Sequence, residues 1–147
     1  MKQLSILIIS ILTTTVLHAQ QTQGTIQKEK WHWGNANNQD TSTGYAQALK
    51  VGNVLYISGT VARVVNEEGV KRVYSGLERT LKQYGLNFSH VVKENLYTTD
   101  IEAMKQFNYV RKQFYNGDFP AATWVQIARL FTADAKLEVE LIAHFPQ

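Results

Sequence analysis

The chain has 147 residues, a formal net charge of +3, 44% apolar and 18% charged residues, and no cysteine. That length and balance fit one globular domain, and the absence of cysteine excludes disulfides, thiolate metal sites and cysteine nucleophiles. The charge is too mild to argue for nucleic acid as a partner.

Lys2 precedes an uncharged run from Leu4 to Leu17, and Leu17-His18-Ala19 then leads into the polar Gln20-Gln21-Thr22-Gln23. This pattern predicts a signal peptide over residues 1–19, removed on export. The run is shorter than the roughly 20 residues of a membrane span, so no stable membrane association is expected after cleavage. A small exported domain without disulfides points to a periplasmic or secreted protein of bacterial type. Residues 20–43 read as a polar arm interrupted by Trp31-His32-Trp33-Gly34. Two indoles left in water would expose a large apolar area, so they are expected to dock on the body or on a neighbouring subunit.

Residues 44–147 carry the domain. Tyr45 to Leu49 and Val54 to Ser58 read as strands around the turn Val51-Gly52-Asn53, with pairing able to continue through Val61. Glu67 to Tyr84 reads as a helix, with Val70, Val73, Leu77, Leu81 and Tyr84 on one stripe, acidic residues at its start and Gly85 as its stop. Lys71, Arg72, Arg79 and Lys82 fall between the apolar positions and are most simply its solvated face. Val91 to Thr98 reads as a strand. Asp100 caps a second helix carrying Ile101, Met104, Phe107, Val110 and Phe114, with Gly117 beyond its end. Thr123 to Leu130 and Lys136 to His144 read as two final strands joined by Thr132-Ala133-Asp134. The order ββαβαββ predicts an α+β sandwich, a sheet with two helices packed on one face.

Several short segments, in this order, resemble the RidA (YjgF-like) family of reactive imine/enamine deaminases. Gly44-Tyr45-Ala46-Gln47-Ala48 is similar to its opening, and Asn53 to Gly59 to its second strand. Val91-Val92-Lys93 with Tyr97 to Ile101 matches its central strand and helix start, and Asn108 and Phe114 fit its second helix. Pro120 to Leu130 with Leu137 to Ala143 resembles its C-terminal hairpin. The resemblance covers residues 44–145. It implies a chorismate-mutase-like fold with a mixed sheet, a homotrimer, and a small-molecule cleft at each subunit interface. The strand face of Val125, Ile127, Val139 and Leu141 is one surface on which subunits could meet, the alternative being that these residues pack beneath the helices.

In that family an arginine directly after Pro-Ala holds the substrate carboxylate, a task for a planar two-pronged cation. Here the position is Ala122, which has neither charge nor donor. Glu140 aligns with the glutamate that orients the hydrolytic water and is the expected catalytic residue. Tyr45, Ser58, Gly59, Asn108, Ala122, Thr123 and Trp124 are the expected substrate-binding positions. Trp124 stands where the family has a small residue and would make the cleft more apolar. Each has a plainer reading as well: Glu138 and Glu140 as a solvated strand face, Tyr45 as a buried tyrosine, Asn108 as a local hydrogen bonder. Arg129 lies on the other strand face from Ala122 by alternation, leaving Arg63 as the cation weighed as a replacement. His32, His90 and His144 lack metal-ligand spacing, and no cofactor or metal is expected.

The functional expectation is imine or enamine hydrolysis on a substrate other than a standard 2-imino acid. The alternative is a non-catalytic binding module with a Trp124-lined pocket. An endoribonuclease or translation inhibitor, an activity ascribed to some relatives, has less support, since no acid–base histidine pair and no aromatic-basic platform is present.

Overall fold

Gly52, in the left-handed region at φ 58°, lets the chain reverse within two residues and pair Val51 with Val54. From that hairpin the sheet grows in both directions. In the computed structural model, which describes residues 24–36 and 42–147, the strands are β1 (Glu29–Trp31), β2 (Ala48–Val51), β3 (Val54–Ala62), β4 (Val91–Thr98), β5 (Ala121–Gln126) and β6 (Leu137–His144). The helices are α1 (Glu67–Gln83), α2 (Ile101–Gln106) and α3 (Asn108–Tyr115), with one 3-10 turn at Phe88–His90. The signal peptide expected over 1–19 and parts of the arm, 20–23 and 37–41, lie outside the described residues.

All six strands form one sheet in the order β1-β2-β3-β6-β4-β5. Every neighbouring pair is antiparallel except β4 and β5, which run parallel. The sheet is therefore mixed, and the expected α+β sandwich is what forms. One sheet face, carrying Leu55, Ile57, Leu96, Val139 and Leu141, buries itself against Val70, Val73, Leu77 and Leu81 of α1 and Met104 and Val110 of the shorter helices. Asn66 caps α1 by accepting from the Gly69 amide at 2.8 Å, and Gly85 ends it at φ 70°.

The structure corrects four details. The last two strands are not a hairpin. β6 inserts between β3 and β4, while β5 returns parallel to β4 through the α2–α3 crossover. Burial explains the choice: alternate residues of β6 are almost fully buried, whereas β5 is exposed along nearly its whole length and suits an edge. It follows that Val125 does not share a face with Val139 and Leu141, which lie in the core. The second helix breaks at Phe107 into α2 and α3. Its apolar residues begin three, three and three apart, a spacing that drifts around an α-helix, and the break returns Val110 to the sheet. Finally, the strand expected from Tyr45 starts only at Ala48. Ahead of it the Ala46 and Gln47 carbonyls bind Ser58, and the arm adds β1 beside β2.

Candidate functional site

The site begins with an irregularity in β3. Ile57 pairs with Leu141 and Thr60 with Val139, so Ser58 and Gly59 together face the single residue Glu140. This is a β-bulge, a device that bends a strand and re-aims its side chains. It is tied down from outside: Ser58 N–H donates to Gln47 O at 2.9 Å, Gln47 Nε2 to Ser58 O at 3.0 Å, and Ser58 Oγ to Ala46 O at 2.7 Å. Gly59 lies directly under Glu138: a Cβ there would meet its carboxylate and push it aside.

The bulge gathers Tyr45, Ser58, Gly59, Glu138, Glu140 and Phe131 around a pocket of about 400 Å³ on the helix-free face. Glu140 accepts a hydrogen bond from Asn95 Nδ2 at 2.8 Å and another from Tyr97 Oη at 3.2 Å. These two donors fix one carboxylate oxygen of Glu140 as an acceptor. The Glu138 carboxyl is pushed above the usual carboxylate range, first by burial and then by the charge of Glu140. Tyr97 is held above the ordinary tyrosine range, by burial first and by Glu140 second. A smaller hollow of about 190 Å³ on the same face joins Glu140 to Tyr56, Ser58, Lys93 and Asn95. Lys93 Nζ donates to Thr123 Oγ1 at 2.7 Å, bringing Thr123 to within one side chain of Glu140.

The chain thus assembles four of the expected residues directly (Tyr45, Ser58, Gly59 and Glu140) and Thr123 through Lys93. It leaves three elsewhere. Ala122 is exposed on the edge strand, in register with Glu94. Asn108 opens α3, its Oδ1 buried without a partner. Trp124 is the clearest departure. It points to the helix side of the sheet, where its Nε1 donates to Glu94 at 2.9 Å, so the pocket of Glu140 is not Trp124-lined. β5 puts Thr123 and Trp124 on opposite faces, and the Lys93–Thr123 bond fixes which face is which. Arg63 pairs with Asp134 at 2.6 Å, and Arg129 Nε donates to the Leu130 carbonyl at 3.3 Å. Among the described residues no cluster of three or more metal-ligating side chains occurs.

Glu138, Lys93, Asn95 and Tyr97 were not among the expected site residues. The signal for them was present: Lys93, Asn95 and Tyr97 alternate along one strand, as Glu138 and Glu140 do along another. Knowing that β4 and β6 are neighbours is what joins the two sets.

The family model for Endoribonuclease L-PSP matches residues 36–145, most of the chain. The chain belongs to this family, the RidA or YjgF-like proteins. Among curated RidA-family relatives, a RutC family protein of Pyrococcus abyssi is 29% identical over 109 residues, covering 68% of this chain and 85% of its own length. A bovine 2-iminobutanoate/2-iminopropanoate deaminase is 33% identical over 109 residues, covering 67% and 78%. The crystal structure of a YjgF/YER057c/UK114 family member from Mycobacterium tuberculosis superposes with a TM-score of 0.71 at 21% identity. It spans 81% of this chain and 100% of its own.

Proposed function

We propose that this RidA-family chain hydrolyses a small imine or enamine at the pocket of Glu140, within a homotrimer. The observation that carries the reading is the carboxyl pair. Glu140 is fixed as an acceptor by Asn95 and Tyr97, while its neighbour Glu138 is biased towards its protonated form. Two adjacent carboxyls in different surroundings, one held by two donors and one partly buried beside it, can divide the roles of base and acid. Glu140 takes a proton from the water whose oxygen bonds to the C=N carbon, and Glu138 gives a proton to the nitrogen as the C=N π bond opens. The carbinolamine then collapses: its hydroxyl proton passes to Glu138, Glu140 returns its proton to the nitrogen, and the C–N bond breaks to release the amine and leave a carbonyl. The names of the curated deaminase relatives support the reaction class.

Substrate choice follows from Ala122. It cannot clamp a carboxylate, and Lys93, the cation beside Glu140, already donates to Thr123. A 2-imino acid is therefore a poor substrate, and an imine without a carboxylate a better one. Assembly places residues of β5 and α3 near a neighbour's pocket in this reading, giving Ala122 and Asn108 their place in the cleft.

The test is steady-state hydrolysis of 2-iminopropanoate and of an uncharged cyclic imine, beside an arginine-bearing deaminase. The chain should favour the uncharged imine, and Glu140→Gln should lower its kcat by about a hundredfold or more. Ala122→Arg alone should raise 2-iminopropanoate turnover, and it avoids disturbing Trp124. Turnover of neither substrate would replace this proposal with binding without catalysis. An endoribonuclease has less support, because His32, His90 and His144 lie outside the two hollows that hold Glu140.

A further inference from the structure

Among the described residues another hollow is larger than either of those that hold Glu140. A groove of about 640 Å³ runs between α1, β3 and the arm, within the range of small-molecule sites. Its helix wall is Arg72, Ser75, Gly76 and Arg79, spaced three, four and seven residues from the first and so forming one stripe of α1. Trp33 and Tyr45 add two aromatic rings to its lining. No acidic residue lines it.

The two arginines differ from the cations that are held in ion pairs. Lys82 pairs with Glu78, Lys105 with Glu102, Arg63 with Asp134 and Arg111 with Glu94. Among the described residues neither Arg72 nor Arg79 lies within ion-pair distance of a carboxylate, even though Glu68 sits one turn before Arg72. Arg79 is oriented: its guanidinium lies 3.7 Å over the Trp33 ring. Stacking occupies the face of a guanidinium and leaves its in-plane N–H groups free to form a fork. Trp33 is braced by Trp31 at 5.4 Å, and Trp31 is pinned in β1 against β2. The floor is close-packed, since a Cβ on Gly76 would sit 2.9 Å from Thr60 Cγ2. Thr60 Oγ1 is buried there without a hydrogen-bond partner.

We propose that this groove is a second binding pocket, for a small aromatic carboxylate. The two guanidiniums fit a planar anion, and the aromatic wall selects an organic ring over an inorganic ion. The pocket borders that of Glu140, sharing Tyr45, Gly59 and Val61 with it. The proposal does not depend on catalysis there.

Calorimetric titration with benzoate tests it, with benzamide and inorganic phosphate as comparators. Benzoate should bind and benzamide should not, and added salt should weaken the binding. Arg72→Gln and Arg79→Gln should each weaken it roughly tenfold, the worth of one charged hydrogen bond. Trp33→Leu should weaken it also, by releasing Arg79, while Glu140→Gln should bind as the parent does. All are exposed or partly exposed positions, and far-ultraviolet circular dichroism would verify that each variant is folded. No heat with benzoate at millimolar concentration, unchanged affinity in the double arginine variant, or tighter binding of phosphate than of benzoate would each overturn the proposal.

Discussion

Glu94 is fully buried, and its two oxygens accept from four side chains: Tyr74 Oη at 3.0 Å, Arg111 Nε at 2.9 Å, Tyr115 Oη at 2.7 Å and Trp124 Nε1 at 2.9 Å. An isolated carboxylate in such a place would be strongly destabilising, and only this full complement of donors makes it tolerable. Both tyrosines are held well above their ordinary range, by burial first and by the Glu94 charge second, so they remain donors. Trp124 therefore packs against the core and donates its indole N–H to Glu94. Trp124→Phe keeps the ring but removes one donor to a charged acceptor, and should lower unfolding stability by about 2 kcal/mol. Arg111→Met leaves the charge uncompensated and should cost about 3–5 kcal/mol. Chemical denaturation measures both. Equal losses in the two variants would mean that Arg111 does not neutralise Glu94.

At the scale of elements, the bulge in β3 shapes the pocket of Glu140, because it brings Gly59 under Glu138. The raised pKa of Glu138 has a defined consequence. A carboxyl whose folded pKa lies above the ordinary 4.5 contributes its full stability below that pH, and the contribution falls as the pH rises through the folded value. Glu138→Gln imitates the protonated form. It should match the parent in thermal midpoint near pH 4 and exceed it at pH 8; a variant less stable at pH 8 would contradict the shift. The bulge also marks where sequence reading stops. Alternation placed Glu138 and Glu140 on one side of β6, and the cap at Asp100 and the stop at Gly85 were legible, since those signals are local; the Asn66 cap was equally local but went unread. Which strand lies beside β6 is a long-range fact that no spacing encodes. The expected hairpin, the side chosen for Trp124 and the roles of Asn95 and Tyr97 all turned on it. The break at Phe107 is a milder case, visible in the run of threes but overlooked because each apolar residue still fitted a helix.

For the whole molecule, one face of the sheet has no helix over it. Tyr56, Val61 and Val125 are exposed on that face beside the polar Lys93, Thr123, Glu138 and Glu140, and a second subunit seated there would cover those apolar side chains. Under the proposed assembly a sizing experiment with light scattering should give three times the chain mass. Val125→Lys should shift it to a smaller species and reduce turnover with it. A parent that runs as a monomer would refute the trimer and with it the shared cleft. The groove of Arg72 and Arg79 lies towards α1 and the arm, so benzoate binding should survive dissociation.

The position of β6 bears on how such a chain comes to be folded at all. The strand formed by residues 137–144 is among the last of the chain, yet it sits mid-sheet with partners on both edges. Until it arrives, β3 and β4 present open edges to each other with nothing between them. A chain emerging from the ribosome cannot complete this sheet strand by strand in sequence order; it must wait, with two unfinished half-sheets, until residues 137–144 have been made. Loss of those residues would remove a keystone rather than an edge.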